Sequence, residues 1–473
     1  MIGRVLLLIG LATTLAVIAG PSDSRSVQAQ PPQFERRRPT DPGRNAPTGG
    51  PNIVRQGFPA AQFDPDNIAK SETAWEIEWD LTHPMNRPFY PPGCTFRIRS
   101  AKYMWKDKYG KPQWITVVRN LELAEIYVPY DSGYMAFLDI HDMSFYTTPA
   151  RKEYLGPNCV QPGAILPSSN PYWNNTVHKE MHDDGIRWMS AETSGRNELA
   201  DRVRRGEKML LWSTYYGANY RYLLEFGFGD DGMISARIGP TGRNILDRQD
   251  DKSDVHLHIG CWRMEFDLGD PVNKIGGPKD TDILLARRVF DETSEKFAQV
   301  ARPFAHNARG QACEGAARWE PEEFTQVRAQ SRVRKSGHGR PMCYDLIPQR
   351  IGALRKLQGH YNTEAALMDA MNYDFWVTRT EPQFTSFIDV PTYAKDKRPL
   401  DGQPTTVWHC APVLHFPRGE DFGTDGGKNS MTGLAITFWT GFYLKPRDIL
   451  DSTPLYQPTP PRRRAEIFST QEQ

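Results

Sequence analysis

The sequence predicts a mainly β protein: one large antiparallel β domain with few short helices. Three observations carry this expectation. Aromatic residues make up 11% of the chain, and Gly and Pro each number 38, a composition suited to half-buried strands and frequent turns. Segments of alternating apolar and polar residues recur between turns bearing Gly, Asp and Pro. Helical periodicity is brief by comparison.

The elements follow in order. Arg4 precedes an apolar run from Val5 to Ala19, and Val27-Gln28-Ala29 leads to Gln30, which predicts a signal peptide over residues 1–29. That run is short for a membrane span, and no later run is long enough, so the mature chain is expected to be exported, periplasmic or extracellular, without a span. Residues 30–65 read as a Pro- and Arg-rich flexible leader, residues 66–455 as the main domain and residues 456–473 as a flexible tail. A first hairpin is predicted from Phe96 to Trp105, a turn Lys108-Tyr-Gly-Lys-Pro112, and a return from Gln113 to Arg119. One long strand is predicted from Met209 to Phe228, turning at Gly229-Asp-Asp-Gly232 and returning from Met233. Further strands are expected around His256 and His258, over Phe375–Arg379 and from Leu434 to Tyr443, with helices from Thr281 to about Val300 and from Glu364 to Met371.

Lys and Arg total 58 against 57 Asp and Glu, a balance that argues against nucleic-acid binding. The six cysteines are Cys94, Cys159, Cys261, Cys313, Cys343 and Cys410. An even number in an exported chain allows disulfides and leaves their pairing open. No CxxC spacing occurs, so a thiolate zinc site is not expected.

His256 and His258 lie two apart on a predicted strand, and therefore on one face. They supply two ligands of a three-imidazole site. The segment from Trp408 to His415 offers the third, either His415 or His409, with Pro412 between them. Three neutral imidazoles with open positions suit copper or zinc, and spacing alone does not choose. Cys261 has the opposite parity and should point away from the metal.

Several segments, in this order, resemble the catalytic domain of the topaquinone-containing copper amine oxidases. They are Leu123-Ala-Glu-Ile-Tyr-Val-Pro-Tyr130 with Phe137-Leu-Asp139, Trp212-Ser-Thr followed by Asn219-Tyr220, His256-Leu-His258, Pro341-Met-Cys-Tyr-Asp-Leu-Ile-Pro348, Trp376-Val-Thr-Arg379, His415, and Gly441 to Pro454. Asn372-Tyr373-Asp374 is the closer literal match to the family's Asn-Tyr-acid motif. It directly precedes Trp376-Val-Thr-Arg379, however, whereas the family's precursor tyrosine lies before the histidine pair, as Tyr220 does.

The resemblance implies a large β-sandwich of the family's supersandwich type, reduced to the catalytic domain, and a homodimer. It implies copper on His256, His258 and His415, and topaquinone made from Tyr220 with Asn219 orienting the ring. It further implies Asp139 as general base and Tyr130 as a hydrogen-bond partner of the quinone oxygen. The implied reaction takes a small primary amine and dioxygen to an aldehyde, ammonia and hydrogen peroxide. Glu265 and Asp267 fall where the family often holds a second, calcium-like ion, and carboxylates suit a hard cation. Departures from the family pattern are Arg221 in place of an acid, Tyr216 in place of a threonine, and Ile140-His-Asp-Met after Asp139, which makes Asp142 a rival base. These departures are what a non-catalytic copper-binding or interaction relative that keeps the β scaffold would show.

Overall fold

Alternating apolar and polar residues fold into two large antiparallel sheets in a computed structural model that describes residues 52–82, 95–130, 136–140, 145–156, 160–168, 175–190, 202–217, 220–242, 255–350, 369–422 and 434–451. All of these belong to one unit, Asp41–Gln473; the other, Met1–Thr40, lies outside the described residues, and so does the expected signal peptide.

The first sheet comprises β1 (Asn52–Phe58), β2 (Thr73–Thr82), β3 (Thr95–Lys106), β4 (Pro112–Pro129), β5 (Ala136–Leu138), β12 (His256–Phe266), β17 (Gly315–Ala317), β20 (Phe375–Arg379) and β21 (Thr405–His415). Its order is β1-β2-β3-β4-β12-β21-β20-β17, with β5 against β4. The second comprises β6 (Tyr146–Thr147), β7 (Gln161–Leu166), β8 (Val177–Ser190), β9 (Arg202–Gly217), β10 (Tyr220–Gly229), β11 (Ile234–Gly242), β13 (Thr281–Asp291), β14 (Lys296–Arg302), β18 (Gln326–Lys335), β19 (Pro341–Gln349) and β22 (Thr440–Arg447). Its order is β14-β13-β18-β19-β22-β11-β10-β9-β8-β7, with β6 against β9. A short ribbon pairs β15 (Ala305–His306) with β16 (Ala312–Cys313). Short helices occupy Val390–Ala394 and Gly419–Phe422.

Aromatic side chains join the two sheets edge to face. Phe96 meets Phe226 with ring centroids 5.2 Å apart, Trp75 meets Phe228 at 5.3 Å, and Trp262 meets Phe442 at 5.3 Å. Burying each such phenyl ring contributes roughly 1.5–3 kcal/mol. The other face of the first sheet is covered too: Leu257, Ile259, Cys261, Trp408 and Cys410 join Phe387 and Val390 in a second apolar cluster. Coverage of both faces explains why β12 and β21 are buried at almost every position, polar side chains included.

Pro412 lies within β21, yet the strand is continuous and carries both His409 and His415. The pairing register of β20 stops at His409, so the ring at Pro412 removes no ladder bond to that neighbour.

Four expectations need correction. Strand β1 lies inside the stretch read as a flexible leader and pairs along its whole length with β2. The long strand from Met209 to Phe228 is two strands, because the chain reverses between Gly217 and Tyr220, which are paired. The helix expected over Thr281–Val300 is the hairpin β13–β14. Thr281, Ile283 and Leu285 are buried with period two against β18, the pattern of a strand rather than a helix. Asp291 caps its turn by accepting from Thr293 N and Ser294 Oγ, and Glu295 adopts a φ of 51° there. The strand expected from Leu434 begins only at Thr440. Of the helix expected from Glu364 to Met371, Asp369 and Ala370 are described and helical, Met371 lies in a turn, and the rest lies outside the described residues. Among the described residues no helix is long and apolar enough to cross a membrane.

Candidate metal centre

Neighbouring strands of the first sheet present three histidines toward the second. His256 on β12 and His415 on β21 are directly opposed partners, and His258 follows two positions on, on the same face. All three are buried, and their ligand nitrogens lie within 4.8 Å of one another. Nε2 of His256 is 3.0 Å from Nε2 of His258 and 3.3 Å from Nδ1 of His415. Burial lowers the pKa of His258 well below its ordinary value, and its two histidine neighbours lower it further. Burial also lowers that of His415, against the pull of Asp421. Neutral imidazoles whose lone pairs converge are what a metal ion requires. Among the described residues this is the group of three that fits one.

The second sheet closes the site with Tyr220, the first residue of β10. Its hydroxyl lies 3.1 Å from Nε2 of His256 and 2.9 Å from Nδ1 of His415. A phenol oxygen therefore reaches the point on which the three imidazoles converge.

Further residues hold the imidazoles in place. Tyr222 donates its hydroxyl proton to the Asp139 carboxylate in a short hydrogen bond, and its oxygen lies 2.9 Å from Nδ1 of His258. With that proton directed at Asp139, Nδ1 of His258 is the donor, which leaves the Nε2 lone pair for a metal. Nε2 of His415 faces Asp421 at 3.5 Å, and Arg418 anchors that carboxylate through its backbone N–H and guanidinium. Tyr130 stacks on His256 at 4.4 Å and Phe438 on His415 at 4.7 Å, giving the site apolar walls.

Asp139 is positioned by backbone bonds. Leu138 pairs with Tyr127, Asp139 N–H donates to Ile126 O at 2.9 Å, and Ile140 N–H donates to Glu125 Oε1 at 2.9 Å. Burial pushes its carboxyl up to about 7, and the bond from Tyr222 partly offsets this. A buried carboxylate titrating near neutral pH suits proton abstraction.

The structure thus brings together His256, His258, His415, Tyr220, Tyr130 and Asp139. Asn219, His141 and Asp142 lie outside the described residues. His409 shares the face of His415 but sits six positions along β21, about 20 Å away at the usual strand rise. Its Nδ1 is bonded to Asp374 O and its ring stacks on Phe375. Tyr373 is exposed and packs edge-on to Trp376 at 5.1 Å. Cys261 points into the second apolar cluster, away from the histidines. Glu265 and Asp267 have arginines where a cation was expected: Glu265 Oε1 accepts from Arg263 at 2.7 Å, and Asp267 lies 3.8 Å from Arg119. Arg221 and Tyr216 are cross-strand partners, with the guanidinium 3.6 Å over the ring, and Arg221 is exposed. Two of the departures from the family pattern, Arg221 and Tyr216, therefore form one stacked pair facing away from the histidines.

Tyr222 and Asp421 carry no motif of their own in the sequence. Tyr222 is legible from alternation alone, since it lies two residues after Tyr220 on the same strand face. Asp421 comes from a short helix beyond His415, where no periodic signal exists.

Residues 116–464 match the family described as "Copper amine oxidase, enzyme domain". The chain is 22% identical to the histamine oxidase of Arthrobacter globiformis over 375 residues, covering 72% of this chain and 51% of that protein. It is also 22% identical to the primary amine oxidase of Klebsiella aerogenes, covering 64% of this chain and 40% of that protein. It spans about half the length of the curated relatives it matches. A copper-containing benzylamine oxidase from Hansenula polymorpha shares the fold with a TM-score of 0.59 at 16% identity, covering 81% of this chain and 60% of that one. An amine oxidase from Aspergillus nidulans does so with a TM-score of 0.54 at 16% identity, covering 93% and 56%.

Proposed function

The chain belongs to the copper amine oxidase family, and from that premise we propose that it oxidises a small primary amine with dioxygen to an aldehyde, ammonia and hydrogen peroxide. One observation carries this reading: the Tyr220 hydroxyl lies among the ligand nitrogens of three buried histidines. A purely structural β scaffold has no need of that arrangement.

His256 and His258 through Nε2, and His415 through Nδ1, would hold the copper. Bound there, copper with dioxygen would supply the oxidising power to turn the Tyr220 ring into a quinone, which would serve as electrophile and two-electron acceptor for the amine. The protein's own groups do the rest. Asp139 takes the proton from the carbon bearing the nitrogen, and its carboxyl, pushed up to about 7, matches a base working near neutral pH. Tyr222 orients Asp139 and fixes the His258 tautomer in one chain of hydrogen bonds. Tyr130 and Phe438 hold the rings of His256 and His415 and exclude water. The Arg–Tyr pair at Arg221 weakens the case for a non-catalytic relative, because the changed residue does not face the copper ligands.

The apolar run near the N-terminus supports export to a periplasmic or extracellular compartment. The family resemblance supports a homodimer. The test is to express the mature chain without metal and add copper in air. A visible quinone band, phenylhydrazine reactivity and added oxygen on the Tyr220 peptide are expected. Tight copper binding with that peptide unmodified, and no peroxide after amine addition, refutes the reading.

A further inference from the structure

We propose that Cys261 and Cys410 form a disulfide that ties together the two strands carrying all three histidines. The two cysteines are directly opposed partners on β12 and β21, and both are fully buried. Cys410 N–H donates to Asp374 O at 2.9 Å, on the β20 side, so its backbone groups turn away from β12. That makes the opposed residues a non-hydrogen-bonded pair, whose Cα atoms stand about 4.5 Å apart with side chains close. A disulfide accommodates Cα separations of about 4.4–6.8 Å, so closure asks for no change of register. The structure holds both residues as thiols in the apolar cluster on the face away from the histidines, with Cys261 Sγ donating to Ile259 O at 3.6 Å. Each lies five positions from a ligand on its own strand, His256 or His415, and those two ligands are themselves opposed. The bond would brace the β12–β21 ladder without touching the metal site.

The oxidant is a small-molecule or protein disulfide, of the kind an oxidising secretory compartment supplies. One cysteine thiolate attacks a sulfur of that disulfide and releases one thiol. The second cysteine thiolate then attacks the mixed disulfide and releases the other. Two electrons pass from the cysteine pair to the oxidant, and the two thiol protons leave with its two product thiols. Burial pushes the Cys261 thiol well above its ordinary value in the folded sheet, so exchange belongs to the stage before the apolar cover closes. After closure the bond is shielded from reductants.

The test uses the full chain exported into an oxidising compartment, denatured with N-ethylmaleimide and no reductant, then digested and mapped by mass. The expected result is the Cys261 peptide linked to the Cys410 peptide, lighter by two hydrogens than the two thiol forms and separated by reduction. Copper release to a chelator should be slower from linked than from reduced protein. It should be the same in both redox states for Cys261→Ala. Alkylation of both residues, or linkage of either to another cysteine, overturns the proposal. The wild-type map decides the matter even where Cys261→Ala fails to fold.

Discussion

Along the first three residues of β10, the inward positions Tyr220 and Tyr222 are buried against the histidines, whereas Arg221 between them is exposed and stacks on Tyr216. One strand thus carries two regions under different constraints. The inward face has to present a phenol to converging imidazoles, and each of its hydroxyls has two partners. The outward face has only to keep the hairpin paired, and an arginine over an aromatic ring does this. A substitution in a catalytic motif matters according to the face on which it falls, more than by its nearness in sequence to the reacting residue.

Substitutions on the two faces should therefore differ sharply. The largest effect is expected for Tyr220→Phe, which removes the quinone band and the activity while copper still binds, as absorbance and metal analysis would show. Tyr373→Phe should leave both intact, and the reverse outcome would reassign the precursor. Next comes Asp139→Asn, expected to lower kcat/KM by about 10²–10⁴-fold, a typical loss for a general base, with the quinone still formed. In the wild type kcat/KM should fall as pH drops through about 7, because the base acts only when deprotonated. The asparagine variant should lose that limb of the profile. Tyr222→Phe removes the hydroxyl that holds His258 and Asp139, so copper affinity should fall by about 10–100-fold, measured by competition with a chelator. The smallest effect is on the outward face. Arg221→Ala should cost about 0.5–1 kcal/mol of stability in denaturant unfolding, with quinone yield unchanged. A loss of quinone in that variant would break the two-face comparison.

Much of this was legible in the sequence, and the physical reason is period two. Alternation alone places His256 with His258 on one face and Cys261 on the other, and it also connects Tyr222 to Tyr220. Alternation alone left His415 and His409 as alternatives, because both share a face, and it was the family resemblance that favoured His415. The register against β12 supplies the physical reason: His415 opposes His256 while His409 opposes Trp262. The helix expected from Thr281 failed for a related reason: pairing with β18 buries Thr281, Ile283 and Leu285 with period two. Asp421 was invisible because a helix of four residues is too short to leave a periodic trace.

His256 and His415 are 159 positions apart in the chain and become neighbours only through the pairing of β12 with β21. Tyr220 joins them from the opposite sheet. A nascent polypeptide can offer copper the His256–His258 pair alone, with no phenol beside it. On the proposed function, oxidation of the tyrosine would wait until both sheets have docked, and the appearance of colour would then be a clock for completed folding rather than for metal capture.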